Sequence, residues 1–262
     1  MIEQAPRVYT SVRPGLLSEY VRSSMCWVTG DPDAIHGFIM AEMRPFSVAA
    51  ITAAAISNGQ GVSFYMDALL PLVEHTAQQQ GAVALVHVGY APWLTHYLSR
   101  HGFAARETVV TYGWDRQPVT VAGNRAVTVR AADHHDLVDV VALDRRIFGP
   151  VWHKRATEFA NVLNRAFDFS VAEWNGQIVG YQWSDKSGDH GHLSRLAVRP
   201  DWEDRGVGTR LLTETLVAMA NTGVAWITLN TQEGNLRSRM LYERHGFRLV
   251  DHRVAVLWKD LS

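Results

Sequence analysis

The tetrapeptide Arg-His-Gly-Phe stands at Arg100–Phe103 and again at Arg244–Phe247 of this 262-residue chain. Four residues can coincide by chance, but the likeness runs on in both directions and in order. With the second half shifted back by about 143 positions, "WVTGDPDAIHGFIM" falls on "SVAEWNGQIVGYQW", with Gly37 over Gly180. "DALLPLVEHTAQQQGAVALVHV" falls on "RLLTETLVAMANTGVAWITLN" with a small gap, and "YLSRHGFAARETVVTYGW" on "LYERHGFRLVDHRVAVLW", with Trp114 over Trp258. Such self-similarity points to two related units in tandem, the alternative being two unrelated α/β lobes that share common turn chemistry, and the length suits two cores better than one. "RQPVTVAGNR", Arg116–Arg125, holds Pro118, Gly123, Asn124 and only isolated apolar residues, and reads as the connector.

The second half alternates strand and helix patterns. "AVTVRAA" alternates like a strand, and "DHHDLVDVVALDRRIF" has helical spacing with Asp133 as N-cap. A second helix is expected near "HKRATEFANVLNRA". Two β-rich runs flank Asn175-Gly176, a hairpin signal, and "GHLSRLAVRP" is a strand ended by Pro200. A helix runs from the glycines of "RGVGTRLL" to Gly223, followed by the strand "VAWITLNT". "NLRSRMLYERHG" is a helix capped by Asn235 and stopped by Gly246. "FRLVDHRVAVLW" supplies the last strands, bent near Asp251-His252. The order βααβββαβαββ implies an α/β fold with a mixed sheet and helices on both faces.

Composition excludes several classes. Formal net charge is -1 and charged residues make up 19%, so no global field favours nucleic acid or an anionic membrane. The single cysteine, Cys26, sits in the apolar run "MCWV" and reads as a small buried hydrophobe in a reducing compartment. The start "MIEQAPRVYT" has no signal-peptide pattern, and the apolar stretch "SVAAITAAAIS" is about half a membrane span. A cytoplasmic, soluble protein is expected, with neither nucleic acid nor membrane as partner. "DHGH", Asp189–His192, offers no third and fourth ligand at usual spacing, so no metal is expected.

Gly206 and Gly208 open a helix directly after a strand. Backbone without Cβ atoms can approach a ligand closely, and unpaired first-turn amides at the positive dipole end favour an anion. With "LAVRPDWEDRGVGTRLL" and "NLRSRMLYERHGF" in this order on these elements, the stretch from Leu196 to Phe247 resembles the GNAT superfamily of N-acetyltransferases. The likeness extends more weakly back to about residue 126. It implies two tandem GNAT-like lobes, each a mostly antiparallel sheet flanked by helices: a degenerate, truncated lobe over 1–117 and a catalytic lobe over 118–262.

The resemblance also implies roles. Asp204, Arg205, Gly206, Val207, Gly208 and Thr209 match the loop that holds the pyrophosphate of acetyl-CoA. Leu196, Ala197 and Val198 match the strand that pairs with the pantetheine arm, and one of their amides can polarise the thioester carbonyl. Asn235 matches the residue that anchors the pantetheine. Tyr242 matches the general acid that protonates the departing thiolate. Glu203 stands where the family carries Arg or Gln, a carboxylate unfavourable beside a pyrophosphate unless Arg205, Arg210 or Arg237 compensates. Some members carry a basic Glu at the position of His192, whose imidazole can take the amine proton directly or through water. Others carry Glu at the position of Asn230, which cannot act as a base and so argues against a protein N-terminus as acceptor. "FGPVWHKR" borders the acceptor pocket in the family, making Phe148, Trp152 and His153 candidate walls, with Trp183 on the hairpin as another; each could equally be core packing.

The first half lacks these features. Ser63 replaces Gly208 within "NGQGVSF", Ala91 falls at the Asn235 position, and Leu98, beside Tyr97, falls at the Tyr242 position. Only about 25 residues precede its hairpin, too few for a full copy. Structural support is its expected role, with Trp93, His96 and Trp114 as packing residues; shaping or closing the acceptor site is the alternative. The chain is expected to transfer acetyl from acetyl-CoA to a primary amine of a small molecule, by direct attack through a tetrahedral intermediate. A peptide or protein amine, another acyl or aminoacyl transfer, or acetyl-CoA sensing without turnover are the alternatives. A monomer or homodimer fits equally.

Overall fold

The computed structural model describes residues 5–11, 25–31, 33–57 and 61–261. They form two compact units, Met1–Thr108 with Val254–Ser262, and Val109–Arg253. Each unit is a mixed sheet flanked by helices.

The first unit holds β1 (Arg7–Thr10), β2 (Met25–Asp31), β3 (Ala34–Arg44), β4 (Val48–Ile56), helix α1 (Val62–Gln79), β5 (Ala84–Val88), helix α2 (Pro92–Ser99), the start of β6 (Ala104–Trp114) and the end of β12 (Arg248–Asp260). Its sheet order is β2-β3-β4-β5-β12-β6, with β1 against β4. Every residue of β4 is buried. Coverage on both faces explains why "VAAITAAAI" is apolar on both faces, but for Thr52, rather than alternating. Its core gathers Ile39, Ile56, Met66, Leu69, Val73, Leu85, Leu94 and Leu98. Cys26 is half-buried, and burial pushes its thiol up.

The second unit holds β7 (Thr128–Ala131), helix α3 (Leu137–Ile147), helix α4 (Ala156–Leu163), β8 (Asp168–Trp174), β9 (Gln177–Ser187), β10 (His190–Val198), helix α5 (Val207–Asn221), β11 (Trp226–Gln232) and helix α6 (Leu236–Arg244), with the remaining halves of β6 and β12. Asp133 caps the entry to α3, its carboxylate accepting from His135 N–H at 2.7 Å. Asn175 and Gly176 take φ of 48° and 76°, turning β8 into β9. Packed aromatic rings of Phe159, Phe169, Tyr181 and Trp183 fill the α3–α4 side, and Leu212, Leu216, Met219, Ile227 and Leu229 fill the α5 side.

The repeated tetrapeptide does the same work twice. Gly102 and Gly246 take φ of 87° and 86° where a helix ends, and Phe103 and Phe247 are both buried. The matched Gly37 and Gly180 also correspond: a Cβ there would stand 3.3 Å from Tyr65 on α1 and 3.2 Å from Val207 on α5. Each glycine lets a helix settle closely on its strand.

One organisational expectation is corrected: the last run is one strand, β12, without a break at Asp251-His252. The compact units take strand ends from both halves of the chain. Val109–Trp114 of β6 pair antiparallel with β11, from Gln232↔Val109 to Ile227↔Trp114. The end of β12 pairs with β5, from Val256↔Val88 to Asp260↔Ala84. The last strand of each copy thus completes the sheet of the other. Among the described residues no helix is long and apolar enough to cross a membrane.

Candidate active site

β10 and β11 run parallel and pair from His190↔Trp226 to Leu193↔Leu229, where the pairing stops. The register of β10 on β9 shifts between Leu193 and Arg195, which leaves Ser194 as a bulge. Beyond it β10 stays on β9, from Arg195↔Trp183 to Val198↔Gly180, while β11 continues on β6. The strands therefore part, and Leu196, Ala197 and Val198 face Asn230, Thr231 and Gln232 across a cavity of about 750 Å³. The edge of β10 on this side keeps backbone groups that no strand takes among the described residues.

α5 closes one end. Gly206, at φ 73° and ψ 13°, turns the chain into it, and no side chain caps the helix. Its first amides are left to water or a ligand. The adjacent carboxylates are neutralised: Arg237, on α6, bonds Glu203 and lies 3.3 Å from Asp204. Of the three candidate arginines it is the one that compensates, since Arg210 pairs with Glu214 at 2.7 Å and Arg205 lies over the Trp202 ring at 5.2 Å.

The segment read as a connector is docked against this turn. Asn124 N–H donates to Gly206 O at 3.0 Å and its side-chain amide to Arg205 O at 2.8 Å, while Thr213 hydroxyl donates to Val121 O. Gly123 has φ 69°, and a Cβ there would stand 2.4 Å from Arg210 N. Gly123→Val should push the start of α5 out of place. We expect amide exchange in the first turn of α5 to accelerate about tenfold, read by hydrogen-exchange mass spectrometry; unchanged exchange there would refute the buttress.

α6 supplies the other wall. Asn235 Oδ1 accepts from Ser238 N–H at 3.1 Å and caps it. Asn235, Ser238 and Tyr242 recur at one- and two-turn spacing along the cavity. Residues 137–247, which carry all of these walls except β6, match the model of the Acetyltransferase (GNAT) family. This segment is a GNAT domain.

Relatives agree. A mycothiol acetyltransferase of Acidimicrobium ferrooxidans is 32% identical over 97 residues, 35% of this chain and 31% of that protein. The chain thus matches under a third of that relative's length. The ribosomal protein bS18-alanine N-acetyltransferase of Escherichia coli is 26% identical over 120 residues, 46% of this chain and 80% of that protein. A tandem GNAT protein from the clavulanic acid biosynthesis pathway superposes with a TM-score of 0.65 at 14% identity, covering 99% of this chain and 91% of that one. The fold of the whole chain is therefore the tandem GNAT fold.

Within the GNAT domain, Tyr242 lines the cavity yet is only 6% exposed, its ring against Tyr112 and Phe247 at 6.2 and 6.0 Å. Burial pushes its phenol up to about 12, with the Ser238 hydroxyl pulling slightly the other way. His192 also lines the cavity, on β10 upstream of the bulge, its Nδ1 2.8 Å from Thr228 Oγ1. Burial holds its imidazole below the usual value, against the opposing pull of Asp185. Leu196, Ala197, Val198, Asp204, Gly206, Val207, Gly208, Thr209, Asn235, Arg237, Phe148 and Trp152 join them around the cavity.

Three candidates are elsewhere. Trp183 is core: its ring lies 5.4 Å from Phe159 and 6.0 Å from Phe169. His153 is buried outside the cavity walls, since the chain leaves the turn at Pro150–Trp152 extended and sends it away from Trp152. Arg205 likewise lies outside them.

Arg195 is the residue that sequence reasoning passed over. It pairs with Asp144, which is fully buried, through Nε at 2.8 Å and Nη2 at 2.5 Å. Nη2 also donates to Trp152 O at 2.8 Å, and the guanidinium lies 3.5 Å from the Phe148 ring centroid. The guanidinium therefore ties the segment carrying Phe148 and Trp152 to β10. The signal was available: burial alternates along "HGHLSRLAV", and Arg195 falls at an inward position beside Leu193 and Ala197.

Proposed function

We propose that the chain is an acetyl-CoA-dependent N-acetyltransferase acting on a primary amine of a small molecule, with its chemistry in the GNAT domain. The observation that carries this is the parting of β10 from β11, walled by an uncapped helix N-terminus and by a buried, protonated phenol.

Residues of the site fit acetyl-CoA. The open edge of Leu196, Ala197 and Val198 presents groups that the amides of a pantetheine arm can pair with, each bond worth about 0.5–1.5 kcal/mol net. Amides of Val207, Gly208 and Thr209 suit the pyrophosphate, with Asp204 and Glu203 neutralised by Arg237. Asn235 caps α6 through Oδ1 and keeps its Nδ2 donors for the ligand. An amide near the Ser194 bulge can stabilise the developing oxyanion. His192 accepts the amine proton, directly or through water, and Tyr242 gives its proton to the thiolate as it leaves. Phe148 and Trp152 form the acceptor wall, held by Arg195. Among its described residues the first unit carries no such set, and it serves as a degenerate lobe that supports the fold.

A peptide amine is the second reading, favoured by the Escherichia coli relative, which acts on a protein alanine. Asn230 weighs against it, since its side-chain oxygen accepts from Thr111 at 2.9 Å and cannot act as a base. A CoA-release screen over amines, polyamines, aminoglycosides and peptide N-termini separates the two. Turnover with small amines is expected; turnover with peptides alone would reverse the choice, and no acetyl-CoA binding would reject both.

The pH profile carries a signature. Burial lowers His192, so it is neutral through pH 7 and protonates only below its ordinary value of about 6.5. Acid-side loss of kcat should therefore lie below that pH, while Tyr242 keeps its proton to about 12 and adds no earlier alkaline limb. His192→Gln should lower kcat about tenfold to a hundredfold and abolish the acid limb. An acid limb that persists in the variant would exclude His192 as the base.

A further inference from the structure

We infer that the first unit keeps a counterpart of this groove and that residues 7–11 of the chain itself fill it, so the protein takes one acetyl-CoA, in the GNAT domain alone. The inference rests on the acetyl-CoA reading of the β10–β11 opening.

Both units part a parallel strand pair at the same place. β4 and β5 pair from Val48↔Ala84 to Ile51↔His87 and stop, as β10 and β11 stop at Leu193↔Leu229. In the GNAT domain the next residues of β10 have no strand on that edge among the described residues. In the first unit β1 occupies it, antiparallel to β4 from Thr10↔Ala53 to Arg7↔Ile56. Ser11 extends the contact, its N–H and hydroxyl donating to Thr52 O at 2.8 and 3.1 Å.

Tyr9 closes the other side. While its backbone pairs with β4, its hydroxyl donates to Val88 O of β5 at 2.8 Å, so one residue bridges both walls. The side chain is buried, edge-on to the His87 imidazole with ring centroids 4.5 Å apart. A Cβ at Gly89 would stand 2.2 Å from Tyr9 Cε2. The ring thus takes the space just beyond β5, and only glycine at 89 leaves room for it.

An extended peptide offers a strand edge the same alternating donors and acceptors that the two amides of a pantetheine arm offer. β1 is tethered, so it competes at the high effective concentration of an intramolecular partner. The rest of the first unit matches a filled groove. α1 starts from Gly61 in extended conformation, φ −68°, without the left-handed turn of Gly206, and the buried Leu98 stands where Tyr242 would. Residues 58–60 of "NGQGVSF" lie outside the described residues.

Hydrogen exchange read by mass spectrometry, with and without acetyl-CoA, and calorimetric titration of the full chain test this. One site per chain is expected. Amides of residues 53–56 should be protected before ligand and unchanged by it, while Leu196, Ala197 and Val198 gain protection on binding. In Tyr9→Gly, exchange at 53–56 should accelerate at least tenfold. Two sites, or ligand-dependent protection at 53–56, would overturn the inference and leave the proposed function standing. Unaltered exchange in the variant would overturn the role given to Tyr9. An absence of binding, with no change at Leu196–Val198, would instead overturn the acetyl-CoA reading and this inference with it.

Discussion

Tyr242→Phe should lower kcat by about 10²–10³-fold and leave the KM for acetyl-CoA within about twofold. The hydroxyl oxygen is the only heavy atom lost. Its ring is held by Tyr112 and Phe247, contacts that Phe reproduces, so the cavity keeps its shape. What disappears is a donor whose proton burial secures to about pH 12. A thiolate leaving into a buried cleft then has no acid at hand, and the tetrahedral species returns to reactants more often than it collapses. The measurement is steady-state thiol release together with a thermal melt. Unchanged kcat in a variant that melts like the parent would end the assignment of Tyr242 as the acid.

Arg195→Met should destabilise the protein by about 3–5 kcal/mol, because it leaves the fully buried Asp144 carboxylate without its counter-ion. Tyr181 hydroxyl donates to Asp144 Oδ1 at 2.5 Å and Lys154 N–H approaches Oδ2 at 3.5 Å, but these are dipoles against a full charge. Asp144→Asn combined with Arg195→Met removes both charges and should recover much of the loss, since replacing both partners of a buried pair costs far less than removing one. Urea unfolding of the two singles and the double gives the coupling energy directly. A near-additive double would mean that the pair is not what holds these elements. In the refolded double, loss of the bond to Trp152 O and of the stack on Phe148 should raise the KM of the amine while that of acetyl-CoA stays put. Equal effects on both would identify Arg195 as structural and nothing more.

Legibility of the site divides along one physical line. Gly206, Asn235 and Tyr242 could be read because each does its work locally: a left-handed turn, a helix cap, a face repeated every turn. Residue type and spacing state those roles, and the structure places all three around one cavity. For Trp183 and His153 the sequence left wall and core equally open, because facing the cavity or the core depends on which neighbours cover each face, and here Phe159 and Phe169 cover Trp183. Arg195 was passed over for the opposite reason. Its inward position was legible from strand alternation, but Asp144, the partner that makes a buried guanidinium tolerable, lies on a different element.

Taken alone, the sequence determined that there are two related copies, that the second carries the glycine turn, the capping Asn and the Tyr, and that the first does not. Tertiary structure alone decided which strands meet. The ends of β6 and β12 descend from the same repeated pattern and match at Trp114 and Trp258, so composition cannot say which sheet each completes; the exchange is visible only in the pairing with β11 and β5. The same holds for β1. A short strand pattern such as "RVYT" specifies a backbone edge but no partner, because every strand offers the same amides and carbonyls. It took the folded chain to show that the partner is β4, at the place where the other unit stands open.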